Sequence, residues 1–196
     1  MDTRKVIRTR RTVRRYKKKD VPMREIFEIL DCARWAPTCK NAQTWDFIII
    51  KSEEKIRKIA EIAGQEWIAG APVVVVVCSN LDKARSVIGE EGELQAILEC
   101  AAAVQNMLLA ARDLGIGSAF VANFDREKMR ELIKAPGDIF PVAVVTLGYP
   151  AEFPESERAP LRDFIHVEEF GNPWPEELPP KYRKKVSSSE FLRLFG

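Results

Sequence analysis

Four side chains able to bind an anion crowd into Arg10-Arg11-Thr12-Val13-Arg14. Guanidinium forks match phosphate oxygens in charge and geometry, so this segment is a candidate phosphate grip. The wider basic run from Arg4 to Lys19 also fits a nucleic-acid arm or a solvated face. Against a free arm, Val6, Ile7, Val13 and Tyr16 interleave with the cations as packed side chains would, and no aromatic stacking set accompanies them. A second cluster, Ala36-Pro37-Thr38-Cys39-Lys40-Asn41-Ala42-Gln43-Thr44-Trp45, puts hydroxyl and amide groups just before an apolar run. Side chains of this kind often only satisfy turn backbone. Asn41 and Gln43, however, each carry a donor and an acceptor together, which is what reading a uracil-like ring edge requires. A third cluster, Leu114-Gly115-Ile116-Gly117-Ser118-Ala119-Phe120, imitates a dinucleotide-binding glycine loop. It follows a helical pattern and opens a strand, the reverse of the order that aims a helix N-terminus at a pyrophosphate.

The remaining chemistry is bounded by what the chain lacks. Its single histidine, His166, and the absence of a G-x-S-x-G elbow or a P-loop argue against ordinary triads, histidine metal sites and P-loop nucleotide hydrolysis. No metal site is expected. Cys32, Cys39, Cys78 and Cys100 form no C-x-x-C pair and read as reduced thiols. No apolar signal core opens the chain, and the apolar stretch Ile68 to Cys78 is too short to span a bilayer, so a cytoplasmic protein without a membrane partner is expected. Charged residues are 31% of the 196 but nearly cancel, to +2, which gives no whole-molecule field for nucleic acid.

The elements that must position these clusters follow from periodicity and punctuation. Met1 to Arg8 predicts a short helix. Asp20 reads as the N-cap of a helix with apolar stripe Ile26, Phe27, Ile29, Leu30 and Ala33, ended by Pro37. Thr44 to Lys51 predicts a strand, Ser52 caps a helix from Glu53 to Ala63, and Gly64 stops it. Val73 to Val77 is an unbroken β-branched run, the pattern of a strand buried on both faces. Glu93 to Leu114 predicts the longest helix. It is so apolar that it must be buried nearly all round, and a second copy of the chain is expected to cover one face. Phe120 to Asn123 and Val142 to Gly148 predict further strands, with Asp125 capping a helix between them. Six prolines beyond Pro150 suit an extended surface arm, in which Ser189 caps a last turn through Phe191 and Leu194.

Taken in order, Arg10-Arg11-Thr12-Val13-Arg14-Arg15-Tyr16, Ala36-Pro37-Thr38, Asn41-Ala42-Gln43-Thr44-Trp45, Gly64-Gln65, Ala71-Pro72-Val73, Ala103-Val104-Gln105-Asn106, Leu114-Gly115-Ile116-Gly117, Phe124-Asp125, Leu147-Gly148-Tyr149-Pro150 and Arg158-Ala159-Pro160-Leu161 resemble the nitroreductase family of FMN enzymes. The resemblance covers roughly residues 3 to 170, and its weight lies in the ordered set. It implies an α+β fold with a central mixed, mainly antiparallel sheet flanked by helices, and a homodimer with two FMN sites at its interface. Residues 1 to 165 would form the FMN-binding domain and 166 to 196 an extended arm on the partner subunit.

Carried over residue by residue, the resemblance assigns Arg10, Arg11 and Thr12 to the phosphate and ribityl chain, with Arg158 closing the phosphate. It assigns Arg14 and Gln65 to the pyrimidine edge, and Pro37, Thr38, Cys39 and Asn41 to the flavin of the partner subunit. The backbone of Val121, Ala122 and Asn123 would line the ring, with Ala122 beside N5, so that no side chain need be catalytic. Three departures stand out. Thr44 occupies a position where a proline usually follows the Gln, and Ser156 one often held by a phosphate-binding lysine, whose charge Arg11 would then supply. The substrate-side insertion of larger relatives is missing, which predicts an open pocket. The implied reaction takes hydride from NADH or NADPH onto flavin N5 and passes it to a small acceptor, nitroaromatic or quinone-like, by a ping-pong cycle. The same scaffold also serves dehalogenation, azoline oxidation and flavin fragmentation.

Overall fold

The computed structural model describes residues 2–179, 182, 186 and 187. The chain divides into two compact units, Arg10–Phe153 and a unit made from Met1–Thr9 with Pro154–Gly196.

The larger unit is built on the valine run. Strand β2 (Val73–Asn80) has Val73 through Cys78 fully buried, because both sheet faces are covered. Strands β1 (Trp45–Ile50), β3 (Gly117–Val121) and β4 (Ile139–Gly148) complete a four-stranded sheet in the order β1-β2-β4-β3, antiparallel at every pairing. The mixed character is confined to a parallel bridge from Thr12 to Ser118 on the outer edge of β3. Alternate valines of β2 divide the core. Val73, Val75 and Val77 face helices α2 (Met23–Ala33) and α5 (Gly92–Asp113), whereas Val74 and Val76 face α3 (Glu53–Ala63), α6 (Arg126–Ile133) and a short 3-10 turn at Glu66–Gly70. Burying a valine contributes about 1.5 kcal/mol or more, so this one strand contributes to both layers.

Most boundaries follow their sequence signals. Ser52 accepts from the Lys55 N–H, Asp125 accepts from the Lys128 N–H, and Gly64 ends α3 in the left-handed region at φ 61. Asp20 does not cap α2: Pro22 occupies that position without a side-chain bond, and Asp20 pairs with Lys51 at 2.7 Å instead. Helix α2 also stops at Ala33, before Pro37 can act. Strand β3 begins at Gly117 rather than Phe120, because pairing with β4 extends through the small residues Gly117, Ser118 and Ala119. A further helix, α4 (Leu81–Ile88), capped by Asn80, joins β2 to α5.

Within a single chain, helix α5 is buried on one face only. Its inner face, Ala96, Cys100, Ala103, Val104, Met107 and Ala111, packs into the core, whereas Leu94 and Leu98 are 56% and 54% exposed. One sheet, α2 and α4 can cover only part of its circumference. By length and composition α5 would also pass as a membrane span, but its core face and packing on the sheet are those of a central helix.

The smaller unit contains α1 (Thr3–Thr9), a two-residue ladder of β5 (Glu157–Arg158) with β6 (Val186–Ser187), and a 3-10 turn at Leu161–Phe164. His166 is exposed in a local turn, accepting the Gly171 N–H at Nδ1 with its ring against Phe170. The expected turn from Ser189 through Phe191 and Leu194 lies outside the described residues.

Candidate active site along the open edge of strand β3

The basic segment is part of the fold. The Val13 N–H donates to the Ser118 carbonyl at 3.0 Å, Val13 is 2% exposed, and a Cβ on Gly117 would come within 3.0 Å of the Val13 side chain. Further along, Lys17 N–H donates to Tyr149 and Ala151 N–H donates to Arg15. The Tyr16 hydroxyl lies 2.6 Å from both the Val13 carbonyl and the Thr146 hydroxyl, and burial pushes its ionisation well above the usual tyrosine range. A solvated nucleic-acid arm would make none of these bonds. Arg10, Arg11 and Thr12 are thereby held half-buried beside β3, with Arg11 Nη1 donating to the Arg10 carbonyl at 2.7 Å.

Strand alternation links this segment to the 121–123 backbone. Because Ser118 directs its carbonyl away from β4 and toward Val13, the period of two aims the backbone of Phe120 along the same open edge, and Ala122 continues it. Val121 is buried, while Ala122 and Asn123 are exposed. The Ala122 carbonyl accepts from Arg126 Nη2 at 3.3 Å, and that guanidinium stacks on Phe124 and Phe140.

Gln65 and Arg14 meet through a residue that the sequence reading passed over. Trp67 Nε1 donates to Gln65 Oε1 at 3.1 Å, and the Arg14 guanidinium lies 5.6 Å over the indole. With its oxygen engaged, the Gln65 amide offers its NH2 as a donor. Trp67 follows Gln65 by two residues, and a tryptophan so close to a candidate amide was the available signal.

The second polar cluster sits elsewhere. Pro37, Thr38, Cys39 and Asn41 occupy the loop entering β1, with a 3-10 turn at Cys39–Asn41, and β1 is the opposite edge of the sheet from β3. Three strand spacings put the two groups roughly 14 Å apart or more within one chain. The loop is strained: Lys40, Asn41 and Gln43 all have positive φ, at 48, 56 and 49°, each costing about 1–2 kcal/mol for a side chain with a Cβ. Thr38 Oγ1 accepts the Gln43 N–H at 2.9 Å, and Gln43 turns its amide back onto Asn41. Gln43 is thus spent on turn backbone. Arg158 lies on β5 in the smaller unit, exposed, with Nη1 on the Glu157 carbonyl.

Residues 7–69 and 63–149 match the model of the nitroreductase family. This chain is a member of the nitroreductase family. A Methanothermobacter thermautotrophicus protein named, provisionally, as an NADH dehydrogenase/NAD(P)H nitroreductase is 34% identical over 177 residues, covering 87% of this chain and 88% of its own. An FMN reductase [NAD(P)H] of Bacillus subtilis is 26% identical over 178 residues, 83% of this chain and 72% of its own. Among solved structures, B. megaterium NfrA2 superposes with a TM-score of 0.82 at 24% identity, over 87% of this chain and 76% of the other, and so shares its fold. The nitroreductase-family chain is accordingly an α+β oxidoreductase.

Proposed function

We propose that the chain is a homodimeric FMN enzyme that oxidises NADH or NADPH and reduces a nitroaromatic or quinone-like acceptor by a ping-pong cycle. The observation that carries this reading is the convergence on one β3 edge of a guanidinium-rich segment, a hydroxyl and exposed strand-end backbone, with a donor amide anchored to Arg14 through Trp67. This donor set fits FMN. Arg10, Arg11 and Thr12 suit the phosphate and ribityl hydroxyls, and the family resemblance adds Arg158 to the phosphate contacts. Gln65 and Arg14 suit the carbonyl-bearing pyrimidine edge, where a guanidinium favours the negative charge that reduction brings. The backbone of Val121, Ala122 and Asn123 suits the flank of the ring, with the Ala122 N–H toward N5. Bound FMN supplies the redox chemistry by accepting and returning a hydride equivalent at N5. The chain's work is to hold and orient, and no side chain is assigned as acid or base.

Two features support a partner subunit. Pro37, Thr38, Cys39 and Asn41 lie at the sheet edge remote from the other group, so one chain does not gather all candidates, whereas a second copy supplies them. The apolar stripe of Leu94, Leu98 and Ala101 on α5 is exposed in a single chain. The FMN relatives' names agree with the cofactor.

The deciding experiment is a visible spectrum of the purified protein, followed by NADH or NADPH without oxygen. The expected result is a flavin spectrum that bleaches and recovers when a quinone is added. A protein that stays colourless after FMN addition overturns the proposal.

A further inference from the structure

Glu99 is 5% exposed in the middle of α5, a helix whose other core positions are apolar or small. Among the described residues no cation pairs with it, and an unpaired buried carboxylate is costly unless donors satisfy it. Its donors both come from the strained loop. The Cys39 N–H donates to Oε1 at 2.5 Å and the Thr44 hydroxyl to Oε2 at 3.3 Å, while the Ser79 hydroxyl donates to Thr44 at 3.3 Å. The two contacts bracket Lys40, Asn41 and Gln43, the three residues with positive φ. From outside, Lys83 Nζ reaches the Gln43 carbonyl and Lys40 Nζ the Val87 carbonyl, both as exposed contacts.

We infer that Glu99 is a positioning residue whose carboxylate clamps both ends of the 39–44 loop, holding Thr38, Cys39 and Asn41 in their strained, presented form before a ligand arrives. The ligand's identity as FMN rests on the function proposed above, but the clamp does not. A carboxylate accepts from both donors at once through charge-assisted bonds, and Thr44 provides a hydroxyl that a proline at that position lacks. A glutamine retains the shape but removes the charge that strengthens the bonds to both ends of the loop.

The test is thiol labelling of the native protein without FMN, in a Cys32→Ser background, with a maleimide. Cys39 then carries the one partly exposed thiol, and the buried Cys78 and Cys100 report global opening. The expected result is that Glu99→Gln speeds Cys39 labelling about tenfold, the equivalent of one charge-assisted hydrogen bond, with Cys78 and Cys100 unchanged, and that Thr44→Val gives a smaller rise. Titration with FMN should show affinity weakened to a similar degree. Unchanged Cys39 labelling, or a rise in step with Cys78 and Cys100, overturns the clamp, and wild-type FMN affinity in the variant overturns the part of the inference that has the clamp prepare the loop for FMN. If Glu99→Gln does not fold, Thr44→Val carries the same comparison alone. A wild type that binds no FMN refutes the cofactor reading, and the labelling rates then judge the clamp by themselves.

Discussion

At the scale of single residues, the segment from Arg10 to Tyr16 shows how a local charge cluster becomes directional. Val13 is the pivot, since its N–H and side chain are both consumed by β3, leaving the flanking arginines beside the open edge. Arg10→Ala should weaken FMN binding roughly tenfold to a hundredfold, the loss of one or two charge-assisted bonds, with the melting temperature nearly unchanged. Fluorescence titration of FMN checks it. Trp67→Phe keeps the ring under Arg14 but removes the indole N–H that fixes Gln65. The expected cost is about 1 kcal/mol in FMN binding, and it should vanish in a Gln65→Ala background, because the tryptophan acts through the amide.

At the scale of elements, the meeting of β4 with the chain around it leaves little room. A Cβ on Gly148 would lie 2.7 Å from Pro72 and from the Tyr16 ring. Gly148→Ala should therefore destabilise the protein by about 1–3 kcal/mol, measured by urea denaturation. Strand β2 and helix α5 also bury two thiols, and burial pushes both Cys78 and Cys100 from an ordinary 9.0 up to about 12. The folded state then keeps protons that the unfolded chain releases, so the stability from these groups is present below about pH 9 and is lost as pH rises toward 12. Each thiol steepens the decline by up to about 1.4 kcal/mol per pH unit. Urea midpoints at pH 8.5 and 10.5 should fall less in a Cys78→Ala/Cys100→Ala double variant than in the wild type.

At the scale of the molecule, the sheet order keeps the loop at 37–41 and the β3 edge on opposite sides, and α5 shows a leucine stripe to the outside. Both observations support the proposed second copy. Leu98→Glu should abolish dimerisation and FMN retention together, seen by sedimentation and by loss of visible absorbance. A monomeric variant that still holds FMN would remove the shared site.

By itself, the sequence determined the parts whose causes are local. The valine run specifies a strand buried on both sides, Ser52, Asp125 and Gly64 set helix ends, and the ordered motifs name the family. Arg14 and Gln65 each stood out as candidates, yet nothing local joins them, because Trp67 bridges them only after the chain has folded. Asp20 had the composition of a cap but pairs with Lys51 across the fold, while Pro22 takes the N-cap position. Glu99 carried a faint signal as a charge in an apolar helix, and its partners, Cys39 and Thr44, are 60 and 55 residues away. Hydrogen bonds of such separation are fixed by packing of the sheet and its helices, so only the tertiary structure decided them.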